Sequence, residues 1–376
     1  MKRCLALALL LLLLPLPARA ASLTLSAESA LLMEKSTGRV LYALNEHEQR
    51  EPASVTKIMT LLLVMEAIDR GELALDESVT ASALAASMGG SQIYLKEGEQ
   101  MTVRELLKAV CVASGNDASV ALAEHTAGSV EHFVERMNQR AQELGMNDTC
   151  FCNCTGLPAE GHVTSAYDIA LMSRELILHH SAIREYTTIW MDTLRGGAFG
   201  LSNTNRLIRF YEGATGLKTG STEAAGCCIS ATAERGGMEL IAVVLKAPSS
   251  TARFEDAKVL LNYGFAAYAL ESVTPEEPLP ALPVDRGEQA EIALALSSEK
   301  ALLPKGRLDQ LRQELVLPEN VEAPLAAGKQ LGALRLYDGE TLLAELPLLA
   351  AADVPRLSFP VMLRRLLRFA LYAPAV

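Results

Sequence analysis

The sequence predicts an α+β protein in which an antiparallel sheet is interrupted by a long helical insertion. Strand-like runs stand at the two ends of this region, at residues 30–43 and 226–247, and helical runs fill the stretch between them. Because the two ends must share one sheet, its first and last strands are expected to meet in space. Past residue 270 a proline-rich stretch leads into short alternating segments and a final amphipathic run, which predicts a small all-β domain and a C-terminal helix.

These transitions divide the chain of 376 residues into five predicted segments. They are a signal peptide at 1–20, a main domain at 21–270, a proline-rich linker at 271–283, a small β-rich domain at 284–355 and an amphipathic helix at 356–376.

The first segment has the pattern of an export signal. Lys2 and Arg3 precede an apolar core from Leu5 to Leu16, and Ala18 and Ala20 form a small-x-small cleavage site. An uncleaved anchor helix is the alternative, but the apolar core is short and broken by proline, which favours cleavage. Removing its basic residues makes the formal net charge of −11 more negative, so the body of the protein has no electrostatic reason to bind nucleic acid.

Six cysteines lie outside this signal, an even number in an exported chain. Cys150, Cys152 and Cys154 alternate with other residues, a spacing that does not suit a closed zinc site. Cys227 and Cys228 are adjacent in a predicted strand and would face opposite sides. Buried free thiols are therefore expected rather than disulfides or a metal site, and no cofactor is predicted.

The elements of the main domain follow from periodicity and from turn residues. Residues 30–43 predict a hairpin around Thr37-Gly38, and residues 226–247 predict two strands around Arg235-Gly236-Gly237. An apolar run begins at Ser54 and stops before Gly71, which predicts a buried helix. Apolar residues recur at helical spacing in five more runs. They are Val103 to Val112, Ala118 to Ala127, Val130 to Leu144, Asp168 to Leu178, and Thr251 to Leu270.

The later segments carry two local signals. Asp338-Gly339 between alternating runs predicts a hairpin with a type I′ turn. In the last stretch, Arg364, Arg365 and Arg368 share one side of a helical wheel, and apolar residues fill the opposite side. Spanning a bilayer would bury three arginines at roughly 2.5–3.5 kcal/mol each, so a helix lying at a membrane surface is predicted. An amphipathic helix docked on the protein itself is the alternative.

The helix that begins at Ser54 carries a candidate nucleophile and base. Ser54 and Lys57 are three residues apart, so the hydroxyl and the amine face the same way. A serine becomes a strong nucleophile only when a neighbouring base takes its proton, and a lysine is a base only when its surroundings keep it neutral. The S-x-x-K pattern also occurs by chance, as a helix cap followed by a surface lysine, so it needs partners elsewhere.

Two further stretches supply such partners. Ser114 and Asn116 are two residues apart in a turn between helices, where a hydroxyl can relay a proton and an amide can hold a carbonyl or a lysine. Lys218 and Thr219 precede the strand pair as a site for a carboxylate, and Gly220 would let an extended peptide lie against the strand edge. Taken singly, these stretches are equally typical of ordinary turns.

In this order, the S-x-x-K, S-x-N and K-T-G motifs are much more specific than any one of them. The sequence resembles the low-molecular-mass penicillin-binding proteins, in particular the D-alanyl-D-alanine carboxypeptidases. The likeness extends from about residue 25 to residue 268. It implies a penicillin-binding/β-lactamase-like transpeptidase fold for the main domain, and the later segments match the family's layout of stalk and membrane anchor.

The resemblance also implies a reaction. Ser54 would attack the carbonyl of the penultimate D-Ala in a peptidoglycan pentapeptide and form an acyl-enzyme, as it would with penicillin and other β-lactams. Lys57 would be the base, and Ser114 and Lys218 would pass the proton to the departing D-Ala. Asn116 would hold the lysine and the substrate amide. The protein would then act at the outer face of the cytoplasmic membrane, in the cell wall space.

The remaining implied residues bind the substrate. Thr219 and Arg253 would bind or steer the terminal carboxylate beside Gly220, and the backbone N–H groups of Ser54 and Ser221 would form the oxyanion hole. The chain departs from the family at Thr204, where some members carry an arginine.

Two other functions stay open, a serine β-lactamase and a non-catalytic cell-wall-binding protein. No E-x-x-L-N stretch lies between the second and third motifs to supply the deacylating glutamate of class A β-lactamases. Three intact motifs disfavour the non-catalytic reading. Outside the motifs, we interpret His162 as structural, Asp168 as a brace or cap for a helix, and Glu51 as solvated.

Overall fold

The computed structural model describes residues 23–306 and 311–372, and the predicted signal peptide lies outside them. In chain order the strands are β1 (Ser29–Glu34), β2 (Val40–Leu44), β3 (Ser78–Thr80), β4 (Gln100–Thr102), β5 (Met191–Leu194), β6 (Phe199–Ser202), β7 (Ala214–Thr222), β8 (Gly226–Arg235), β9 (Met238–Ala247), β10 (Tyr268–Ser272), β11 (Leu282–Asp285), β12 (Glu291–Ile292), β13 (Leu294–Leu296), β14 (Lys300–Pro304), β15 (Arg312–Val316), β16 (Val321–Glu322), β17 (Gln330–Asp338) and β18 (Thr341–Ala350). The α-helices are α1 (Lys57–Asp69), α2 (Ala83–Ser87), α3 (Val103–Lys108), α4 (Asn116–Ala127), α5 (Val130–Glu143), α6 (Ala166–His179), α7 (Arg184–Thr187), α8 (Leu207–Phe210), α9 (Ser250–Ala267) and α10 (Phe359–Tyr372).

The main sheet has the strand order β2-β1-β9-β8-β7. β1 pairs antiparallel with β2 on one side and with β9 on the other, where Leu31 lies opposite Val243. β1 and β9 are buried along almost their whole length, because protein covers both faces of this part of the sheet. The α+β class, the helical insertion and the meeting of the first and last strands are confirmed.

Helix α1 is the buried axis of the insertion. Nearly all of its side chains are buried, and apolar residues lie on all of its sides, as expected for a helix inside a core. Its start differs from the prediction, because Ala53–Thr56 forms a 3₁₀ turn and the α-helix begins only at Lys57. It stops before Gly71, as predicted, where a φ of +73° suits a glycine.

The predicted helical insertion also contains short strands and irregular segments. The short strands β3 and β4 pair with each other, and residues 88–99 between α2 and β4 form neither helix nor strand. The predicted helix at Val103 to Val112 is α-helical only as far as Lys108 and continues as a π turn at Ala109–Ala113. The wider turn ends at Ser114, whose left-handed φ of +62° stops the helix and redirects the chain.

The described chain forms two compact units. The first runs to Glu234 and includes Glu239–Tyr263, and the second contains Arg235–Met238 and the residues from Gly264 onward. The second unit is β-rich, as predicted, with small sheets around two apolar clusters. The stretch predicted as a linker, residues 271–283, overlaps β10 at its start and β11 at its end.

The hairpin in the second unit has a different turn from the one predicted. Asp338 pairs with Thr341, so the two-residue loop consists of Gly339 and Glu340 rather than Asp338 and Gly339. Gly339 supplies the positive φ, +57°, at the first loop position. A glycine at this position is typical of a type II′ turn, which also matches the twist of the strands.

The amphipathic helix is present as α10. Among its described side chains, the apolar Leu363, Leu366 and Leu367 are exposed, and so are Arg364, Arg365 and Arg368. An apolar side docked on the protein would be covered, so the docked alternative is not supported. Among the described residues, none of the helices combines the length and apolarity that crossing a membrane requires.

The six cysteines outside the signal are free thiols. Cys111, Cys154 and Cys228 are buried, but Cys150 and Cys152 are exposed, so the prediction of buried thiols is wrong for these two. Cys150 makes a backbone bridge with Val163 at the edge of a loop, where side chains reach solvent. No group of metal-binding side chains occurs among the residues that the structure describes.

Candidate active site

Ser54 is held in a tight turn between β7 and the loop that contains Gly156. Ala53, just before it, has a φ of +48°, an uncommon conformation for a residue with a side chain. A Cβ on Gly156 would lie 1.8 Å from Ala53 O, and a Cβ on Gly220 would lie 2.7 Å from Ser54 N. Neither backbone could approach so closely with a larger residue, so both glycines are required for the position of the serine.

Lys57 is fully buried and reaches three oxygen atoms. Its Nζ lies 2.9 Å from Ser54 Oγ, 2.6 Å from Asn116 Oδ1 and 2.6 Å from Thr155 O. Burial, reinforced by the charge of Lys218, holds the pKa of the Lys57 amine well below its usual value. The prediction that Ser54, Lys57 and Asn116 come together therefore agrees with the geometry.

The S-x-N stretch fastens the irregular segment at residues 88–99. Asn116 accepts from Lys57 through Oδ1, donates from Nδ2 to Gly89 O at 2.7 Å, and donates its backbone N–H to Ser91 O. The next residue, Asp117, accepts the backbone N–H groups of Ile93 and Leu95. The Ser114 hydroxyl is buried and has no hydrogen-bond partner within residues 23–306 and 311–372.

Strand β7 places Lys218 inside and Ser221 outside. Lys218 is fully buried and donates from Nζ to Thr219 O at 2.8 Å. Burial lowers the pKa of Lys218 to about 7, while the neighbouring Cys111 raises it and Arg253 lowers it further. The Lys218 charge acts on Lys57, so the two amines share one region of the core.

Two residues outside the motif strand contact it. The Thr219 hydroxyl donates to Thr204 Oγ1 at 2.8 Å, so the residue that departs from the family pattern touches the K-T-G motif. Arg253 on α9 is buried and donates from Nη1 to Gly220 O at 3.0 Å and to Cys228 O at 3.3 Å. Its guanidinium thus braces the backbone of the motif, and its contact with a substrate carboxylate stays a prediction.

Sequence reasoning missed one contributor to the site and gave a second only a structural role. The Thr155 carbonyl binds Lys57, and a backbone carbonyl leaves no mark in a sequence. His162 lies beneath the nucleophile turn, with Nε2 2.8 Å from Thr56 Oγ1. This buried contact agrees with the interpretation of His162 as structural.

The other singled-out residues are structural. Asp168 accepts the Asp148 N–H and the Thr149 hydroxyl at 2.8 and 2.7 Å, and so braces the loop before α6 as predicted. The prediction that Glu51 is solvated is wrong, because this residue is half-buried and its Oε2 is enclosed without a hydrogen-bond partner among the described residues.

Two family models match the chain. The model described as D-alanyl-D-alanine carboxypeptidase matches residues 17–249, and the model described as penicillin-binding protein 5, C-terminal domain, matches residues 276–356. The chain belongs to the serine-type D-alanyl-D-alanine carboxypeptidases. This confirms the family and the class of enzyme predicted from the three motifs.

Named relatives and solved structures agree with this assignment. The carboxypeptidase DacF of Bacillus subtilis is 43% identical over 92% of this chain and 90% of its own, and DacD of Escherichia coli is 36% identical over 87% of both chains. Penicillin-binding protein 5 of Haemophilus influenzae superposes with a TM-score of 0.81 at 29% identity, over 89% of this carboxypeptidase and 99% of that chain. Penicillin-binding protein D2 of Listeria monocytogenes, in its ampicillin-bound form, gives 0.60 at 35% identity over 65% of this chain and 99% of its own.

Proposed function

We propose that this carboxypeptidase removes the terminal D-Ala from peptidoglycan stem peptides through an acyl-enzyme on Ser54, and that penicillin inhibits it by acylating the same hydroxyl. The substrate class and the sensitivity to β-lactams follow the names of its relatives. The observation that carries the mechanism is the surroundings of the Lys57 amine.

A neutral Lys57 amine has two N–H bonds and one lone pair. Its partners Asn116 Oδ1 and Thr155 O can only accept, since the Asn116 amide group is oriented by the donation of Nδ2 to Gly89 O. The two N–H bonds are then used, and the lone pair is left for the third partner, the Ser54 hydroxyl. In the neutral form, the hydroxyl therefore donates to Nζ, which is the arrangement that general-base activation requires.

The remaining steps use the rest of the groove. Ser54 Oγ forms a bond to the carbonyl carbon of the penultimate D-Ala while its proton passes to Lys57. The backbone N–H groups of Ser54 and Ser221 stabilise the oxyanion, each by about 3–4 kcal/mol. Ser114 and Lys218 return the proton to the nitrogen of the departing D-Ala, and water then hydrolyses the ester. Thr219 and Arg253 hold or steer the terminal carboxylate.

One assay tests this function. The protein is incubated with a pentapeptide that ends in D-Ala-D-Ala, with and without benzylpenicillin, and compared with Ser54→Ala. We expect release of D-Ala, blocked by a long-lived penicilloyl adduct on Ser54 that mass spectrometry detects. Rapid hydrolysis of penicillin would instead support a serine β-lactamase, and neither activity would support a non-catalytic cell-wall-binding protein.

We further propose that the protein is exported and held at the outer face of the cytoplasmic membrane by α10. The exposed leucines and arginines of this helix suit the boundary between acyl chains and anionic headgroups. The signal pattern at residues 1–20 supports export. Detection of the mature N-terminus in a membrane fraction, and its release by high salt, tests this placement.

A further inference from the structure

A chain of three hydrogen bonds runs beneath the nucleophile turn. The Cys152 backbone nitrogen lies 2.9 Å from His162 Nδ1, and His162 Nε2 lies 2.8 Å from Thr56 Oγ1. The Thr56 hydroxyl in turn lies 2.8 Å from Ala53 O. Thr56 is fully buried and His162 is 2% exposed, so these groups have little access to water.

The direction of every bond in this chain is fixed by its first member. A backbone N–H only donates, so His162 Nδ1 must accept and its proton must sit on Nε2. Nε2 then donates to Thr56 Oγ1, and the Thr56 proton is left to donate to Ala53 O. Burial lowers the pKa of His162 to about 4, in agreement with a neutral ring at physiological pH.

This chain of hydrogen bonds ends at the Ala53 carbonyl, which belongs to the same peptide group as the Ser54 N–H. Because a peptide group is planar, fixing the direction of the Ala53 carbonyl also fixes the direction of the Ser54 N–H on the opposite side. Ala53 has a left-handed φ of +48°, which is unfavourable for alanine unless its surroundings hold it. Gly156 packs against the same carbonyl, but a glycine has no side chain that could donate a hydrogen bond to it.

We propose that His162 is a positioning residue for the oxyanion hole: through the Thr56 hydroxyl it holds the Ala53–Ser54 peptide so that the Ser54 N–H points into the groove. This inference rests on the proposed acyl-enzyme mechanism, which gives the Ser54 N–H its role. His162 itself touches neither the substrate nor the Lys57 amine.

The test compares Thr56→Val, which keeps the shape and removes the hydroxyl, with Thr56→Ser, which keeps the hydroxyl. The probe is an N-acyl D-boroalanine, because its tetrahedral adduct with a serine places a boron oxygen in the oxyanion hole. We expect Thr56→Val to lower kcat and boronate affinity in parallel, each by about 10- to 100-fold, with KM changed less than about threefold. This is less than the loss of about 10²- to 10³-fold expected when a donor is removed outright.

Thr56→Ser should recover most of both losses. His162→Leu should reproduce the effect of Thr56→Val, and the double variant should lose little more than either single one, because both break the same chain. Ser173→Ala is the control, since it removes a buried hydroxyl contact of 2.8 Å between Ser173 and Ser230. It should lower thermal stability without changing boronate affinity.

All rates are normalised to the fraction of protein that a fluorescent penicillin labels, so misfolded protein does not count. If Thr56→Val binds the boronate like the wild type, or loses affinity only in proportion to KM, the positioning role is overturned and the proposed function stands. If the wild type forms no penicilloyl adduct on Ser54, the proposed function is overturned and this inference with it.

Discussion

Two lysines buried in one region of the core are the least expected feature at the residue scale. Each charged amine loses hydration on burial, which lowers both pKa values, and the charge of Lys218 lowers that of Lys57 further. Lys57 is held by three oxygen atoms, whereas Lys218 contacts one backbone carbonyl. The core thus holds two amines, and the lowered pKa of Lys57 favours its neutral form.

Replacing Lys218 with methionine should shift the pH dependence of acylation. Ser54 attack requires neutral Lys57, so the rate rises with pH through the pKa of Lys57. Lys218→Met removes a positive neighbour that lowers this pKa, so the acidic limb should move to higher pH, in addition to a general loss of rate. The measurement is the second-order rate constant for acylation by a fluorescent penicillin between about pH 5 and about pH 10.

The surface variant Lys258→Met serves as the control for this experiment, because Lys258 pairs with Glu255 on α9. Its acidic limb should coincide with that of the wild type. A limb for Lys218→Met at the same or a lower pH would contradict the electrostatic coupling.

Gly156→Ala should disable the nucleophile by displacing it. The new Cβ would lie 1.8 Å from Ala53 O, and the φ of +81° adds strain of about 1–2 kcal/mol. We expect a loss of penicillin labelling of more than about 100-fold, which corresponds to a 1 Å displacement at a reacting centre. Gly71→Ala, with a φ of +73° and no atom within 4 Å of its Cβ, should lose similar stability and keep full labelling. Equal labelling of the two variants would refute the steric argument.

The sequence could predict only those features of the site that depend on side-chain type, motif and periodicity. Ser54 and Lys57 are three residues apart, and this spacing brings the two side chains together even though Ser54 lies in a 3₁₀ turn. The contribution of the Thr155 carbonyl and the direction of the Ala53 peptide depend on the backbone conformation. Residue types alone do not indicate that conformation. The partner of Thr219 was equally hidden, because Thr204 contacts it only through the packing of separate segments.

At the scale of elements, the strongly patterned helices and strands were predicted and the functional irregularities were not. α4, α5 and α6 lie within about two residues of their predicted bounds, the usual uncertainty of helix ends. The 3₁₀ turn at Ala53–Thr56 and the π turn at Ala109–Ala113 replace predicted α-helix, and each adjoins a motif. A pattern of apolar residues cannot distinguish these turns from an α-helix, because tertiary contacts select them.

Helix α10 should bind membranes through both of its faces. Leu363→Glu with Leu367→Glu removes two exposed apolar side chains, each worth roughly 1.5–3 kcal/mol when buried, so partition into vesicles should fall at least about 100-fold. Replacing Arg364, Arg365 and Arg368 with glutamine should weaken binding to anionic vesicles by about 1 kcal/mol per residue and leave neutral vesicles unaffected. Co-sedimentation with vesicles of each composition measures both effects.

Leu342→Glu is the matched control for this experiment, because Leu342 is also an exposed leucine of the second unit but lies in the hairpin. It should partition like the wild type. Undiminished binding of the double glutamate variant would show that α10 is not the anchor.

At the scale of the molecule, each of the two compact units contains apolar clusters of buried residues. The residues of the candidate active site, such as Ser54, Lys57 and Lys218, belong to the first unit, and the β-rich segments past residue 264 belong to the second. The composition change past residue 270 predicts a β-rich second part, and the predicted domain bounds stay predictions. It could not give the limits, because the turn between β8 and β9 belongs to the second unit although its neighbours in sequence belong to the first.

Leu336→Ala should therefore destabilise the second unit without affecting catalysis. Leu336 is fully buried, and truncating such a leucine costs about 2–5 kcal/mol. Thermal unfolding should show an earlier transition, while the rate of penicillin labelling at about 25 °C stays equal to that of the wild type. Leu342→Ala, at an exposed site, should change neither quantity. A slower labelling rate for Leu336→Ala would contradict independent function of the two units.

The pairing of β1 with β9 has a consequence for the order in which the enzyme forms. A chain that is still being synthesised contains β1 long before its neighbour β9, since roughly two hundred residues separate Leu31 from Val243. Until then one long edge of β1 has no strand to bond with and is open to unwanted association. The main sheet is therefore incomplete, and the enzyme unfinished, until the ninth strand is in place.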